Sequence, residues 1–120
     1  KQAAALNLTP VQAGILASAA YYALNHHVDR LAEDHRRSKE MGEVLKQCNW
    51  IQFLYPIETN IIIFEVISPY SGAQVIEQLS ALGIRCAGFG KSHVRLVYHL
   101  DISEEQHQTA MNLLQTFVPR

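Results

Sequence analysis

The pattern of apolar and polar positions divides the chain into a helical first third and a mixed remainder. Thr9-Pro10-Val11-Gln12 reads as a helix start: Thr9 is the N-cap, Pro10 sits at N1 where its missing N–H costs nothing, and Gln12 at N3 closes a capping box. From there to about Gln47 no further proline intervenes and residues of good helix propensity dominate. Small residues (Ala13, Gly14, Ala17, Ser18) crowd the first half, while Leu24, Val28 and Leu31 continue an apolar stripe. Glu33 with Arg37, and Arg36 with Glu40, stand at i,i+4 spacing in the second half. One helix of about 38 residues would reach ~57 Å, against roughly 35 Å for the diameter of a domain this size. It must bend, break or project; two helices with a corner near Asn25-His26-His27 are the alternative.

Beyond it, Ile51–Leu54 is a short strand candidate, and Asn60–Val66 is a β-branched run typical of a central strand covered on both faces. Ser71 with Gln74 opens a helix that places Val75, Ile76, Leu79 and Leu82 on one face and stops at Gly83. Ile84–Cys86 is a possible short strand. His93–His99 alternates, with Val94, Leu96 and Tyr98 on one face and His93, Arg95, Val97 and His99 on the other. Ser103 with Gln106 caps a last helix whose Ala110, Met111, Leu114 and Phe117 turn inward. The order, a long N-terminal helix followed by β-β-α-β-β-α, predicts an α+β fold: a small, mostly antiparallel sheet with helices on one side. Lys1–Leu8 show no cap or period and read as a linker or frayed end.

Composition narrows the function classes. The 120 residues suit one domain, and 48% hydrophobic against 18% charged residues can bury a real core. A net charge of −1 disfavours nucleic acid, where a basic stripe is expected, and offers no patch for a membrane surface. Val11–Leu24 is too short to span a bilayer. Cys48 and Cys86 make neither a disulfide framework nor a zinc site, and a cytoplasmic setting is expected.

Arg95 is the residue with most chemical promise. A guanidinium on a rigid strand, with His93 and His99 on its side, suits bidentate capture of a carboxylate or phosphate; an ordinary arginine on a solvated sheet face fits the same pattern. The six histidines include no His-x-x-x-His or carboxylate-bracketed pair, so solvated or core-edge histidines account for them better than a metal site. Cys86 has no context that lowers its pKa, and Ser68, Ser71 and Ser103 lie where turns and caps want them. Gly88-Phe89-Gly90-Lys91 does not lead from a strand into a helix and reads as a hairpin connection rather than a phosphate cradle.

Four ordered blocks carry a family resemblance. Tyr22–His35 resembles the helix that joins the large cofactor domain to the small C-terminal domain in low-specificity L-threonine aldolases, and Gln12–Leu16 resembles the start of that helix. Ile57–Phe64 resembles the family's first long small-domain strand, and Val94–Asp101 its last strand, with Tyr98 where the family typically has Thr. The resemblance implies residues 1–24 as a linker and first part of the interdomain helix, and 25–120 as the small domain of a fold-type I pyridoxal-phosphate enzyme. It implies a lyase that splits L-threonine or L-allo-threonine into glycine and acetaldehyde, with Arg95 gripping the substrate α-carboxylate. The Schiff-base lysine, cofactor-stacking histidine and pyridine-nitrogen aspartate belong to the family's large domain. None of Lys1, Lys39, Lys46 or Lys91 occupies a matching motif, so the cofactor is expected on a segment upstream of residue 1 and this chain alone is expected to be inactive. Where the family commonly has Gly-Gly-Gly-Met-Arg before the Gln-Ala-Gly block, the chain reads Asn7-Leu8-Thr9-Pro10-Val11, with Val11 in place of the arginine. The partners expected are a small amino-acid substrate and further copies of the chain, which pair through the N-terminal helix. The alternative is a free-standing binding or oligomerisation module that shares the aldolase tail.

Overall fold

Three helix starts follow directly from their capping residues. In the computed structural model, which describes residues 9–120, Thr9, Ser71 and Ser103 each accept the N3 amide, and Gln12, Gln74 and Gln106 reach back to the respective N-cap amide. These boxes open α1 (Pro10–His26), α3 (Gly72–Ala81) and α4 (Glu104–Thr116); the remaining helix is α2 (Leu31–Leu45). Lys1–Leu8, read as a linker, lie outside the described residues.

The single long helix does not form. His27 ends α1, its amide reaching Ala23 O at 2.8 Å, and a turn follows in which Leu31 and Ala32 bond three residues back, to Val28 and Asp29. Asn25, His26, His27, Val28 and Asp29 are consecutive residues of modest helix propensity, and Asn25 and His26 bond back to the carbonyls of Tyr21 and Tyr22. The break removes the premise of a ~57 Å rod. Glu33 and Asp34 restart α2 with acidic residues at its positive end.

By its contacts the chain divides into two units, Lys1–Ala32 and Glu33–Arg120. In the first, no residue of α1 is buried, and Tyr22 stacks on His26 with ring centroids 4.1 Å apart.

The second unit is the α+β domain. Strands β1 (Ile51–Leu54), β2 (Ile61–Val66), β3 (Ala87–Phe89) and β4 (His93–Val97) form one sheet in the order β1-β2-β4-β3, antiparallel throughout. The expected third strand at Ile84–Cys86 lies three residues later, at β3, because pairing with β4 rather than residue propensity places this edge. Gly90, at φ +66°, makes the β3–β4 connection, so the Gly88–Lys91 segment is a hairpin. One sheet face carries the core. Ile62, Phe64, Val66, Val94, Leu96 and Tyr98 meet Met41 and Leu45 of α2, Val75 and Leu79 of α3, and Leu114 of α4. Trp50 completes it, 1% exposed, donating from Nε1 to Phe117 O at 3.0 Å. Two expectations fail on burial: β2 is fully buried on one face only, its other face running from exposed Ile61 to half-buried Ile63 and Glu65, and Leu82 is exposed because α3 ends before it.

Candidate functional site

The face opposite the helices is where Arg95 lies. Along β4, Val94 and Leu96 are buried, while Arg95 and Val97 are exposed and His93 is half-buried. Antiparallel register puts Ile63 and Ala87 beside Arg95, and Tyr55, whose amide bonds Ile63 O, extends that row. The next row runs Phe53, Glu65, His93, Phe89.

These side chains make an aromatic cluster next to the guanidinium. Tyr55 Oη is 3.2 Å from His93 Nε2, Phe89 stacks on His93 at 4.9 Å, and Phe53 meets Tyr55 edge-on at 4.8 Å. Glu65, the nearest carboxylate in register, accepts from Ser92 Oγ at 2.9 Å. Among the described residues Arg95 has no ion pair. A guanidinium on a paired central strand, beside apolar rings, has the donor geometry to hold a carboxylate through two parallel N–H···O bonds. His99 does not join this face. The strand ends at Val97, and His99 Nδ1 accepts from the Asp101 amide at 3.3 Å.

A second polar cluster lies on the helix side, and the sequence pattern missed it. His107 is fully buried; its Nδ1 is 2.7 Å from Tyr98 Oη and its Nε2 is 2.9 Å from Glu40 Oε2. Around Glu40, Arg36 bonds Glu33, Glu40 and Glu104 at 2.6 to 2.8 Å, and Arg37 donates to Ile102 O and Glu104. The pairs Arg36–Glu40 and Glu33–Arg37 are those read from i,i+4 spacing. The Arg36 hydrogen bond holds Glu33 down to about 2, and His107 with Arg36 holds Glu40 below the ordinary carboxylate range. Burial pushes the Tyr98 phenol up. A signal was available: His107 occupies the same helical stripe as Ala110, Met111 and Leu114, a polar residue where an apolar one is expected.

Nucleophilic chemistry is not supported at the cysteines, since burial raises both thiols, Cys86 to about 11. A groove of about 740 Å³ runs past Ile84, Leu96, Tyr98, Ile102 and Leu113, and a second of about 510 Å³ past Gly72, Ile76, Gly88 and His93. Among the described residues no lysine lines either groove. Lys39 and Lys91 are exposed, and Lys46, also exposed, is bound to Glu43 at 2.6 Å. The described residues therefore do not fit pyridoxal phosphate, which needs a lysine inside a cavity. Among them no group of three metal-ligating side chains converges, and no helix is long and apolar enough to cross a membrane.

No family model matches the chain. The low specificity L-threonine aldolase of Escherichia coli (strain K12) is 36% identical over 95 residues, 79% of this chain and 27% of that protein. A probable low-specificity L-threonine aldolase 2 of Arabidopsis thaliana is 29% identical over 96 residues, 78% of this chain and 27% of that protein. The chain is thus partially homologous to low-specificity L-threonine aldolases over most of its length, and spans about a quarter of theirs. Among solved structures, the histidinol-phosphate aminotransferase of Clostridium acetobutylicum superposes with a TM-score of 0.54 at 17% identity, over 67% of this chain and 25% of that one. That likeness shows the α+β fold alone.

Proposed function

We propose that this chain is the small-domain portion of a threonine-aldolase-like lyase, cleaving L-threonine or L-allo-threonine to glycine and acetaldehyde, and that Arg95 holds the substrate α-carboxylate. The observation that carries the reading is the 36% identity to the E. coli aldolase across 79% of the chain. The open face around Arg95 supports it: a guanidinium without an ion pair among the described residues, on a strand held by β2 on one side and β3 on the other, faces away from its own core. Holding the carboxylate at one point orients the Cα–Cβ bond that must break, so the contribution of Arg95 is positional as well as electrostatic. Pyridoxal phosphate, the cofactor implied by the resemblance, finds no cradle among the described residues. The chain by itself is accordingly expected to release no acetaldehyde from threonine.

The test is a chimera in which this chain replaces the matching region of the E. coli aldolase. Cleavage of threonine that Arg95→Ala abolishes supports the reading. A folded chimera whose cleavage ignores Arg95→Ala contradicts it.

A second reading, a self-association module, is favoured by α1. Its 17 residues include no Asp, Glu, Lys or Arg, and Val11, Ile15, Tyr21 and Leu24 are each more than half exposed. An uncharged apolar helix in water gains from covering itself with a second copy. The two readings are compatible.

A further inference from the structure

The buried pair Tyr98 and His107 leaves little freedom in where its protons sit. Glu40 Oε1 accepts from Arg36 Nη1 at 2.6 Å, and its other oxygen, Oε2, lies 2.9 Å from His107 Nε2. An ionised carboxylate only accepts, so Nε2 must carry a proton; the opposite tautomer would set two lone pairs against each other. A neutral ring then has a bare Nδ1, and Tyr98 Oη at 2.7 Å is the group that donates to it. The upward push of burial on the phenol agrees with Tyr98 keeping its proton. The charged surround is Arg36, Arg37 and Glu33 from α2 and Glu104 from α4.

The three residues come from three elements. Glu40 is in α2, His107 in α4, and Tyr98 immediately follows β4, three residues past Arg95. Asn60 fixes Tyr98 on the sheet side, accepting its amide at 2.9 Å and donating to its carbonyl at 2.6 Å.

We propose that Tyr98, His107 and Glu40 form a one-directional hydrogen-bond relay, Tyr98 donating to His107 and His107 to Glu40, that ties the Arg95-bearing strand to α2 and α4. Tyr98 and His107 are then positioning residues for Arg95, an inference that rests on the carboxylate role given to that arginine. The relay itself is a property of this chain and can be measured without substrate.

The experiment is nitrogen-15 NMR of the His107 ring in the labelled chain at neutral pH. The expected spectrum shows a protonated Nε2 and an unprotonated, hydrogen-bond-accepting Nδ1. In Glu40→Gln, Arg36 Nη1 keeps the amide oxygen on its side and the amide NH2 faces Nε2, so the ring is expected to shift toward the Nδ1-protonated tautomer. In Tyr98→Phe, Nε2 keeps its proton while amide exchange along residues 94–98 quickens about tenfold. Should Tyr98→Phe not fold, the wild-type and Glu40→Gln spectra decide alone. A ring protonated on Nδ1, a doubly protonated ring, or a Glu40→Gln spectrum identical to wild type overturns the relay. Because no ligand is present, those outcomes leave the carboxylate role of Arg95 standing; loss of that role in the chimera leaves the relay standing.

Discussion

Arg95 stabilises nothing that can be named in its own domain, and that is testable. It is exposed and carries no ion pair among the described residues, so Arg95→Ala is expected to change unfolding stability by less than about 0.5 kcal/mol in urea titration. A loss of several kcal/mol would assign it a structural role instead. The carboxylates on the helix side behave oppositely. Glu33, Glu40 and Glu104 have folded-state pKa values below the ordinary 4.5. Groups depressed on folding contribute stability that is present above their unfolded pKa and lost as pH falls through the folded one. The urea midpoint is therefore expected to fall between about pH 5 and pH 2, and Arg36→Gln to flatten that slope, because Arg36 touches all three. The outward face of Arg95 could be read from the two-residue period of β4, a local property. The bond from His107 to Glu40 could not, since 67 residues separate them and only the fold brings them together.

At the scale of elements, what local chemistry decides was legible and what pairing decides was not. All three capping boxes and the strand spans of β1 and β2 agree with the sequence pattern to within a residue. The interruption at 27–30 falls at the corner near Asn25-His26-His27 that the sequence offers as the alternative to one long helix, a short run of weak helix formers within a segment of good average propensity. The position of β3 depends on its partner β4, because Ala87-Gly88-Phe89 has little strand character of its own. Two glycines give an internal contrast. A Cβ at Gly72 would lie 3.1 Å from His93 O and 3.3 Å from Ser92 C, both backbone, so Gly72→Ala is expected to cost about 1–3 kcal/mol. A Cβ at Gly14 meets nothing within 4 Å, so Gly14→Ala is expected to strengthen α1 by about 0.5–1 kcal/mol. Thermal unfolding followed by circular dichroism measures both; equal effects at the two sites would contradict the packing described.

For the whole molecule, the exposed faces say more than the core does. An uncharged α1 and an apolar sheet face around Arg95 are both surfaces that water does not favour. Sedimentation is expected to show concentration-dependent association that Ile15→Glu, on exposed α1, abolishes. A strict monomer at high concentration would end the self-association reading while leaving the lyase reading intact. The measurement that bears most directly on the central claim is kcat/KM for threonine cleavage by the chimera with the E. coli aldolase, with Arg95 intact and replaced by Ala. Removing a charge-assisted carboxylate contact is expected to lower kcat/KM by about 10²- to 10³-fold with the fold preserved. A folded Arg95→Ala chimera that cleaves threonine as well as its parent would contradict the account.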